Sequence, residues 1–126
     1  MTRILSQRYD AALRAVGLTI TQFTILQALS LTGEISQGGL GEILAMDSTT
    51  LTRTLSIMAK SGWIISRQGA DRRKKWQKLS AAGRAEYDRA FPHWQNAQTR
   101  LRAELGEKRW KHLTQLINQV TASVAE

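Results

Sequence analysis

The side chains best suited to specific chemistry are short hydroxyls grouped around one guanidinium, all within a stretch that begins after Asp47 and ends at Gly62. As a helix, this stretch presents on one face Ser48, Thr49, Thr52, Arg53 and Ser56. Such groups can reach both phosphates and base edges from a helix that lies in a DNA major groove. The opposite face carries an apolar stripe, typical of a helix packed on a core. A solvated polar face without a ligand is the alternative interpretation.

The positive charge of the chain is concentrated beside this stretch. The 126 residues include 18 Lys and Arg against 10 Asp and Glu, a net charge of +8. Between Ser48 and Lys78, eight basic residues accompany one acidic residue, Asp71, so this segment alone carries +7. A concentrated basic surface attracts polyanions through Coulomb forces and counterion release. The stretch lacks the apolar underside of a basic membrane-surface helix, so we expect double-stranded DNA as the partner and no membrane.

Other chemistry has little support in the sequence. The absence of cysteine excludes disulfides, thiolate metal sites and thiol-based redox sensing. His93 and His112 stand on different predicted helices, without a serine or carboxylate at catalytic spacing, so we expect no enzyme activity. Metal ligands are not clustered, and we predict neither a metal site nor a cofactor. No apolar run has the length of a membrane span and the N-terminus does not resemble a signal peptide, which predicts a cytoplasmic protein.

Hydrophobic periodicity predicts a mainly helical domain that contains a helix-turn-helix. The apolar pattern indicates three helices before the polar stretch, at residues 2–16, 20–32 and 37–44. Asp47 is the expected N-cap of the polar helix, and Gly62 stands where the chain leaves it. Two short helices joined by a brief turn, the second polar on its outer face, make a helix-turn-helix.

A basic β-hairpin is predicted directly after the polar helix. Strands are expected at residues 63–67 and 74–79, with Gly69 supplying the turn in the loop between them. The hairpin resembles a wing, whose tip arginines can enter a minor groove. Asp71 has two interpretations, as the orienting partner of the Arg67 or Arg73 guanidinium or as a plain turn former. The residues predicted to form the DNA-binding wing are Arg67, Asp71, Arg72, Arg73, Lys74 and Lys75.

The C-terminal third predicts two helices with narrow apolar seams at heptad spacing. Ser80 caps the first helix, Pro92 should kink it, and Gly106 separates it from the second. Such seams favour partner helices from a second copy of the chain, so we predict a homodimer. Large aromatic seam residues could instead line a ligand pocket. The predicted dimerisation residues are Leu5, Tyr9, Trp94, Leu101, Trp110, Leu113, Ile117 and Val120.

The chain resembles the MarR family of winged-helix transcriptional regulators. The resemblance is carried by five segments in the family's order, at residues 17–23, 46–55, 60–65, 71–73 and 79–83. The expected fold class is mainly α with a small β-hairpin wing. A single domain is expected, with a winged helix-turn-helix over residues 19–79 and dimerisation helices at 1–17 and 80–126.

The resemblance implies a homodimer that binds a pseudo-palindromic operator, usually to repress transcription. Family members commonly lose DNA affinity when a small aromatic effector binds between the dimerisation helices and the DNA-binding lobe. By match to the family pattern, Thr52 and Arg53 would contact the major groove, and Arg73 the minor groove, with Asp71 orienting the wing. The loop between Arg67 and Asp71 is a residue or two shorter than the family pattern. A non-specific or architectural DNA binder and a winged-helix protein-interaction module remain alternatives.

Overall fold

A computed structural model of the protein describes the backbone of residues 2–71 and 73–125, and the side chains of residues 7–71 and 73–116. The chain is mainly helical with a small antiparallel sheet, which confirms the predicted fold class. The elements in chain order are helix α1 (Thr2–Leu13), a 3-10 turn (Arg14–Val16), helix α2 (Ile20–Thr32), strand β1 (Ile35–Ser36), helix α3 (Gln37–Leu44), helix α4 (Ser48–Lys60), strand β2 (Ile64–Gln68), strand β3 (Lys75–Leu79) and helix α5 (Ala81–Ala125).

The first two helices are separated by a turn that the sequence specifies. Gly17 adopts a left-handed conformation (φ 75°) that ends the 3-10 turn after α1. Thr19 then caps α2 through a capping box with Gln22, each side chain accepting a hydrogen bond from the other's backbone amide at 3.1 Å. Among the described residues no single helix has the length and apolar composition of a membrane span. Taken together, the segments Gln7–Val16 and Ile20–Thr32 have that length and composition, but the chain bends by 74° between them.

Helix α2 passes through the centre of the hydrophobic core. Its side chains from Phe23 to Leu29 pack with residues of α1, α3, α4, β2 and α5. Phe23 stacks on Tyr87 and on Trp94, both at 5.4 Å between ring centroids, and Phe91 closes this aromatic cluster. The first part of the predicted seam on α5 therefore also packs on the core of its own chain, through Tyr87, Phe91 and Trp94. Trp94 is half-buried by these contacts, and its role in dimerisation stays a prediction.

The predicted hairpin is one part of a three-stranded sheet with strand order β1-β3-β2. Strands β2 and β3 pair antiparallel from Ile64 opposite Leu79 to Gln68 opposite Lys75, so Gln68 belongs to the strand rather than to the loop. The short strand β1 pairs with the other edge of β3. Strand β3 is consequently central, and the wing is anchored to the segment that precedes α3.

Helix α5 begins at the cap that the sequence predicts and changes direction at one glycine. The Ser80 hydroxyl accepts a hydrogen bond from the Gly83 amide at 3.0 Å. The chain passes Pro92 with helical backbone angles. The break that separates two helical segments lies instead at Gly106 (φ 78°, ψ 161°), as predicted for that residue. Glycine has no Cβ to oppose a positive φ, whereas the ring of Pro92 is accommodated within the helix.

Candidate nucleic-acid interface

The polar helix of the sequence forms as helix α4, fixed at both ends by local contacts. The Asp47 carboxylate accepts hydrogen bonds at 2.8 Å from the backbone amide and from the hydroxyl of Thr50. These bonds hold the pKa of the Asp47 carboxyl below its usual value. At the other end, Gly62 turns the chain out of the helix with φ 84°. The sequence therefore predicts both boundaries of α4 correctly.

The two faces of α4 divide as their residue types predict. Leu51, Leu55 and Met58 are at most 3% exposed and pack on the core. All five predicted recognition residues are exposed, and they line one shallow surface depression together with Ile57 and Lys60. The Arg53 guanidinium takes part in none of the ion pairs formed within residues 7–71 and 73–116. It is therefore available to a ligand outside the chain.

Helix α3 and the turn before α4 hold α4 in place. The Ser36 hydroxyl caps α3 by accepting a hydrogen bond from the Gly39 amide at 3.1 Å. Ala45 adopts a left-handed conformation (φ 54°), and the Met46 amide donates to the Gly41 carbonyl at 3.1 Å. Two helices joined by this short turn make the predicted helix-turn-helix.

The loop of the wing is closed by Asp71 acting as a turn former. Its carboxylate accepts the Arg73 amide at 3.0 Å, and its carbonyl accepts the Lys74 amide at 3.0 Å. Within the part of the chain that is described, no ion pair joins Asp71 to the side chain of Arg67 or Arg73. The turn-forming interpretation is thus the one that the geometry favours. Arg72 lies outside the described residues.

Gly69 serves close packing rather than a left-handed turn. An added Cβ would lie 2.6 Å from the indole nitrogen of Trp76, whereas no positive φ occurs at this residue. The Gly69 amide donates to the Lys74 carbonyl at 3.1 Å, which continues the hairpin beyond β2. The prediction that Gly69 belongs to the wing loop holds, but the physical reason is its contact with Trp76.

Arg67 is bound within its own chain. Its guanidinium donates to both carboxylate oxygens of Glu34, at 2.8 and 2.6 Å, and lies over the Trp76 ring at 5.6 Å from the centroid. The paired hydrogen bonds lower the pKa of Glu34 and raise the pKa of Arg67. This clamp ties β2 to the turn before β1, so Arg67 braces the base of the wing. Of the two interpretations given to Asp71, the pairing with Arg67 is therefore not the one that forms.

The remaining wing cations lie next to the helix-turn-helix. A cleft of about 960 Å³ runs between the start of α3, the start of α4 and the wing, and Arg73, Lys74 and Lys75 line it together with Ser48. All three cations are exposed. The recognition helix and the basic wing thus flank one surface, which attracts a polyanion along its whole length.

The described side chains of the predicted dimerisation helices form a separate surface. Leu101 and Leu113 line an open cleft of about 1070 Å³, formed where α1 meets the two segments of α5, in which four leucines alternate with charged and polar residues. Tyr9 and Trp110 are half-buried, and burial raises the pKa of Tyr9. Leu101 is 6% exposed within a single copy of the chain. The side chains of Leu5, Ile117 and Val120 lie outside the described residues.

Three polar residues at this interface were not predicted from the sequence. Glu34 holds Arg67, Gln37 contacts α4, and Gln77 is buried within strand β3 of the wing. Glu34 lies 33 positions before its partner and has no local signal. Gln77 does have a local signal in the sequence. It interrupts the apolar side of an alternating strand, at a position that should face the core.

Comparison with known proteins agrees with this geometry. The family model for the MarR family matches residues 18–75. The chain is 28% identical over 86 residues to the uncharacterised helix-turn-helix transcriptional regulator YwoH of Bacillus subtilis. This match covers 68% of the chain and 63% of that relative, so it spans less than two thirds of its length.

Solved structures extend the similarity over almost the whole chain. The M. tuberculosis transcriptional regulator MosR, in complex with DNA, has a TM-score of 0.86 at 36% identity, covering 97% of this chain and 88% of MosR. A probable transcriptional regulator from Pseudomonas aeruginosa has a TM-score of 0.81 at 30% identity, covering 94% and 92%. A MarR mutant from E. coli bound to operator DNA shares the fold, with a TM-score of 0.84 at 22% identity and coverage of 94% and 86%. The helix-turn-helix, the basic wing and these similarities together show that the chain belongs to the MarR family of winged-helix transcriptional regulators.

Proposed function

We propose that the protein is a homodimeric repressor that binds a pseudo-palindromic DNA operator through helix α4 and the wing. The observation that carries this function is the exposed hydroxyl and guanidinium face of α4 beside a cleft lined by Arg73, Lys74 and Lys75. The complex of MosR with DNA, at 36% identity, supports the same use of this surface.

Each element has a distinct task in this complex. Helix α4 enters the major groove, where Thr52 and Arg53 contact base edges while Ser48, Thr49 and Ser56 contact the backbone. The wing follows the phosphates, and Arg73 enters the adjacent minor groove, where the negative potential is highest. Arg67 contributes indirectly, because its bonds to Glu34 fix the base of the wing.

The dimer is proposed from the cleft beside α1. Residues 1–17 and 80–126 would form the dimerisation helices around the lobe at residues 19–79. Leu101 and Leu113 line the cleft, and Tyr9 and Trp110 are half-buried beside other residues of α1 and α5. Leu5, Ile117 and Val120 extend this surface on the basis of the sequence pattern. A two-fold dimer presents two copies of α4, which explains a pseudo-palindromic operator.

A small aromatic effector is proposed to release the operator. In the cleft beside α1, which the ligand would share with the partner copy, Lys108 and Arg109 suit an aromatic ring that carries an acidic group, whereas Arg8 is already paired with Glu104. Such a ligand would act only through a difference in affinity between the DNA-bound and the free arrangement of the dimer.

Selection of bound duplexes from a random DNA library at near-physiological salt tests the function. We expect enrichment of an inverted repeat whose half-sites are about one helical turn apart. Arg53→Ala should weaken binding and relax the enriched sequence at one base pair of each half-site, whereas Arg100→Ala removes the same charge from α5 and should leave the enriched sequence unchanged. Binding without enrichment would indicate a non-specific or architectural DNA binder. Absence of binding would favour a protein-interaction module with an acidic partner.

A further inference from the structure

A buried glutamine lies at the centre of the wing sheet. Gln77 is 1% exposed, in the central strand β3, where its neighbours in the core are apolar. A buried amide is costly unless both of its ends are bonded. The Ser66 hydroxyl, directly opposite on β2, donates to Gln77 Oε1 at 2.5 Å, and Gln77 Nε2 donates to Gln37 Oε1 at 3.1 Å. Both ends of the Gln77 amide are therefore satisfied.

The chain of hydrogen bonds continues to the recognition helix. Gln37 is the first residue of α3, and its Nε2 donates to Thr52 Oγ1 on α4 at 2.9 Å. The donors run in one direction, from the Ser66 hydroxyl through two amides to the hydroxyl of Thr52. We call this chain of four side chains the Ser66–Thr52 relay. It connects the wing directly to a side chain on the exposed face of α4.

Thr52 uses its hydroxyl differently from several other helical threonines. Thr24, Thr54, Thr99 and Thr114 each donate their hydroxyl proton to the carbonyl of the residue four positions earlier, at 2.8–3.1 Å. Thr52 makes no such bond in the described chain; instead its oxygen accepts the proton of Gln37. No hydrogen bond within the described residues uses the Thr52 proton, so the hydroxyl remains able to donate to a ligand on the exposed face of α4.

We propose that the Ser66–Thr52 relay determines base specificity by holding the Thr52 hydroxyl as an outward hydrogen-bond donor, with Gln37 and Gln77 as positioning residues. This inference rests on the proposed binding of DNA through α4. A donor at this point selects base edges that carry acceptors in the major groove, such as N7 and O6 of guanine or O4 of thymine. The wing and the recognition helix thereby act on the same contact.

The relay explains why a polar side chain occupies a core position. An apolar residue of similar size at position 77 could fill the same volume without the cost of burying an amide. The benefit of Gln77 is orientation, because a fully hydrogen-bonded network fixes its side chains in a single arrangement. Recognition of a base requires a hydroxyl of fixed orientation, whereas stability of the fold does not.

Gln37→Glu reverses the direction of the hydrogen bond between residue 37 and Thr52, while the side chain keeps its shape. The introduced carboxylate can still accept from Gln77, but both of its oxygens are acceptors, so the Thr52 hydroxyl must donate inward. Thr52 then presents an acceptor to the DNA. We expect preference at the base pair that Thr52 contacts to move toward an edge bearing a donor, such as N4 of cytosine or N6 of adenine. The expected change is roughly 2- to 10-fold, the range for one hydrogen bond.

Two controls separate this effect from charge and from folding. Gly38→Asp adds the same charge one position away, where an added side chain meets nothing within 4 Å, and it should weaken all duplexes equally. Thr52→Val removes the hydroxyl, so it should abolish preference at one base pair. In the Thr52→Val background, Gln37→Glu should retain only the uniform loss due to charge. Thermal denaturation of each variant verifies that the fold is retained.

Affinities are measured on the selected operator and on duplexes with each base pair replaced in turn. A change at the same base pair for Thr52→Val and Gln37→Glu, absent for Gly38→Asp, supports the relay. If Thr52→Val alters one base pair but Gln37→Glu weakens all duplexes equally, the relay is overturned while the proposed function stands. If Thr52→Val changes no preference, Thr52 does not contact a base and the inference is wrong. If the unaltered protein selects no operator, the proposed function itself fails.

Discussion

Gly83→Ala should destabilise the protein, although alanine is the better helix former. An ideal Cβ at residue 83 would lie 2.0 Å from the carbonyl oxygen of Trp63 and 2.9 Å from its carbonyl carbon. That carbonyl accepts the Ser80 amide at 3.0 Å, and the Trp63 amide donates to Met58 at 3.1 Å. The backbone of Trp63 therefore cannot withdraw without breaking contacts that join β2 to the start of α5.

The magnitude follows from two opposed contributions. Overpacking against an interior that cannot yield costs about 1–3 kcal/mol or more. Replacement of glycine by alanine in a helix returns up to about 1 kcal/mol. We expect a net loss of about 1–2 kcal/mol in the free energy of unfolding, which lowers the Tm by several degrees for a chain of this length. Displacement of α5 from β2 should also weaken operator binding, because the wing is anchored there.

Gly38→Ala is the matched control for this prediction. Gly38 lies in the first turn of α3, and an added Cβ meets nothing within 4 Å, so this variant should be as stable as the parent or up to about 1 kcal/mol more stable. Both variants are compared by urea and thermal denaturation at one protein concentration, since a dimer has a concentration-dependent Tm. Equal stability of the two variants would refute the close approach of Gly83 to Trp63.

Three further predictions concern the interface. Arg53→Ala should cost roughly 1–3 kcal/mol on the selected operator and relax one base preference; equal loss on all duplexes would make Arg53 a phosphate contact. Arg73→Ala should weaken binding most where A·T pairs narrow the minor groove outside the major-groove half-sites, and unchanged affinity there would show that the wing is not engaged. Asp47→Ala should lower the Tm at neutral pH. Because the folded pKa of Asp47 is lowered, this stabilisation is lost as pH falls through that pKa, so the two Tm values should converge in acid; a constant difference would contradict the cap.

The recognition helix could be predicted from the sequence because its signals are local. Asp47 caps it, Gly62 ends it, and the spacing of Leu51, Leu55 and Met58 marks the buried face. The helical period of 3.6 residues determines which side chains share a face. This can be read from the sequence without knowledge of the rest of the fold. The N-terminal capping box and the Ser80 cap were predictable for the same reason.

Contacts between residues distant in sequence could not be predicted in this way. Heptad spacing groups Trp94 with Leu101 on one face of α5, but it does not indicate that Trp94 stacks on Phe23 of α2. The sequence offered Asp71 as one possible partner of Arg67, whereas the sheet brings Glu34 to it. Gly83 belongs to a segment that carries the family resemblance, but the sequence does not explain why glycine is needed there. The reason is its close approach to Trp63, which exists only when β2 lies against α5. Each of these requires the topology.

The break at Gly106 allows a small change of backbone angle to displace the end of α5 by several ångströms. The segment from residue 107 to residue 125 extends about 28 Å at 1.5 Å per residue, so a rotation of about 10° at Gly106 would displace its far end by about 5 Å. An added Cβ at Gly106 would meet no atom within 4 Å, and the ion pair between Arg102 and Glu107 spans the joint from outside. The direction of this segment is thus sensitive to the backbone angles of Gly106, with one exposed ion pair across the break. In a two-fold dimer, that direction would determine how far apart the two recognition helices stand.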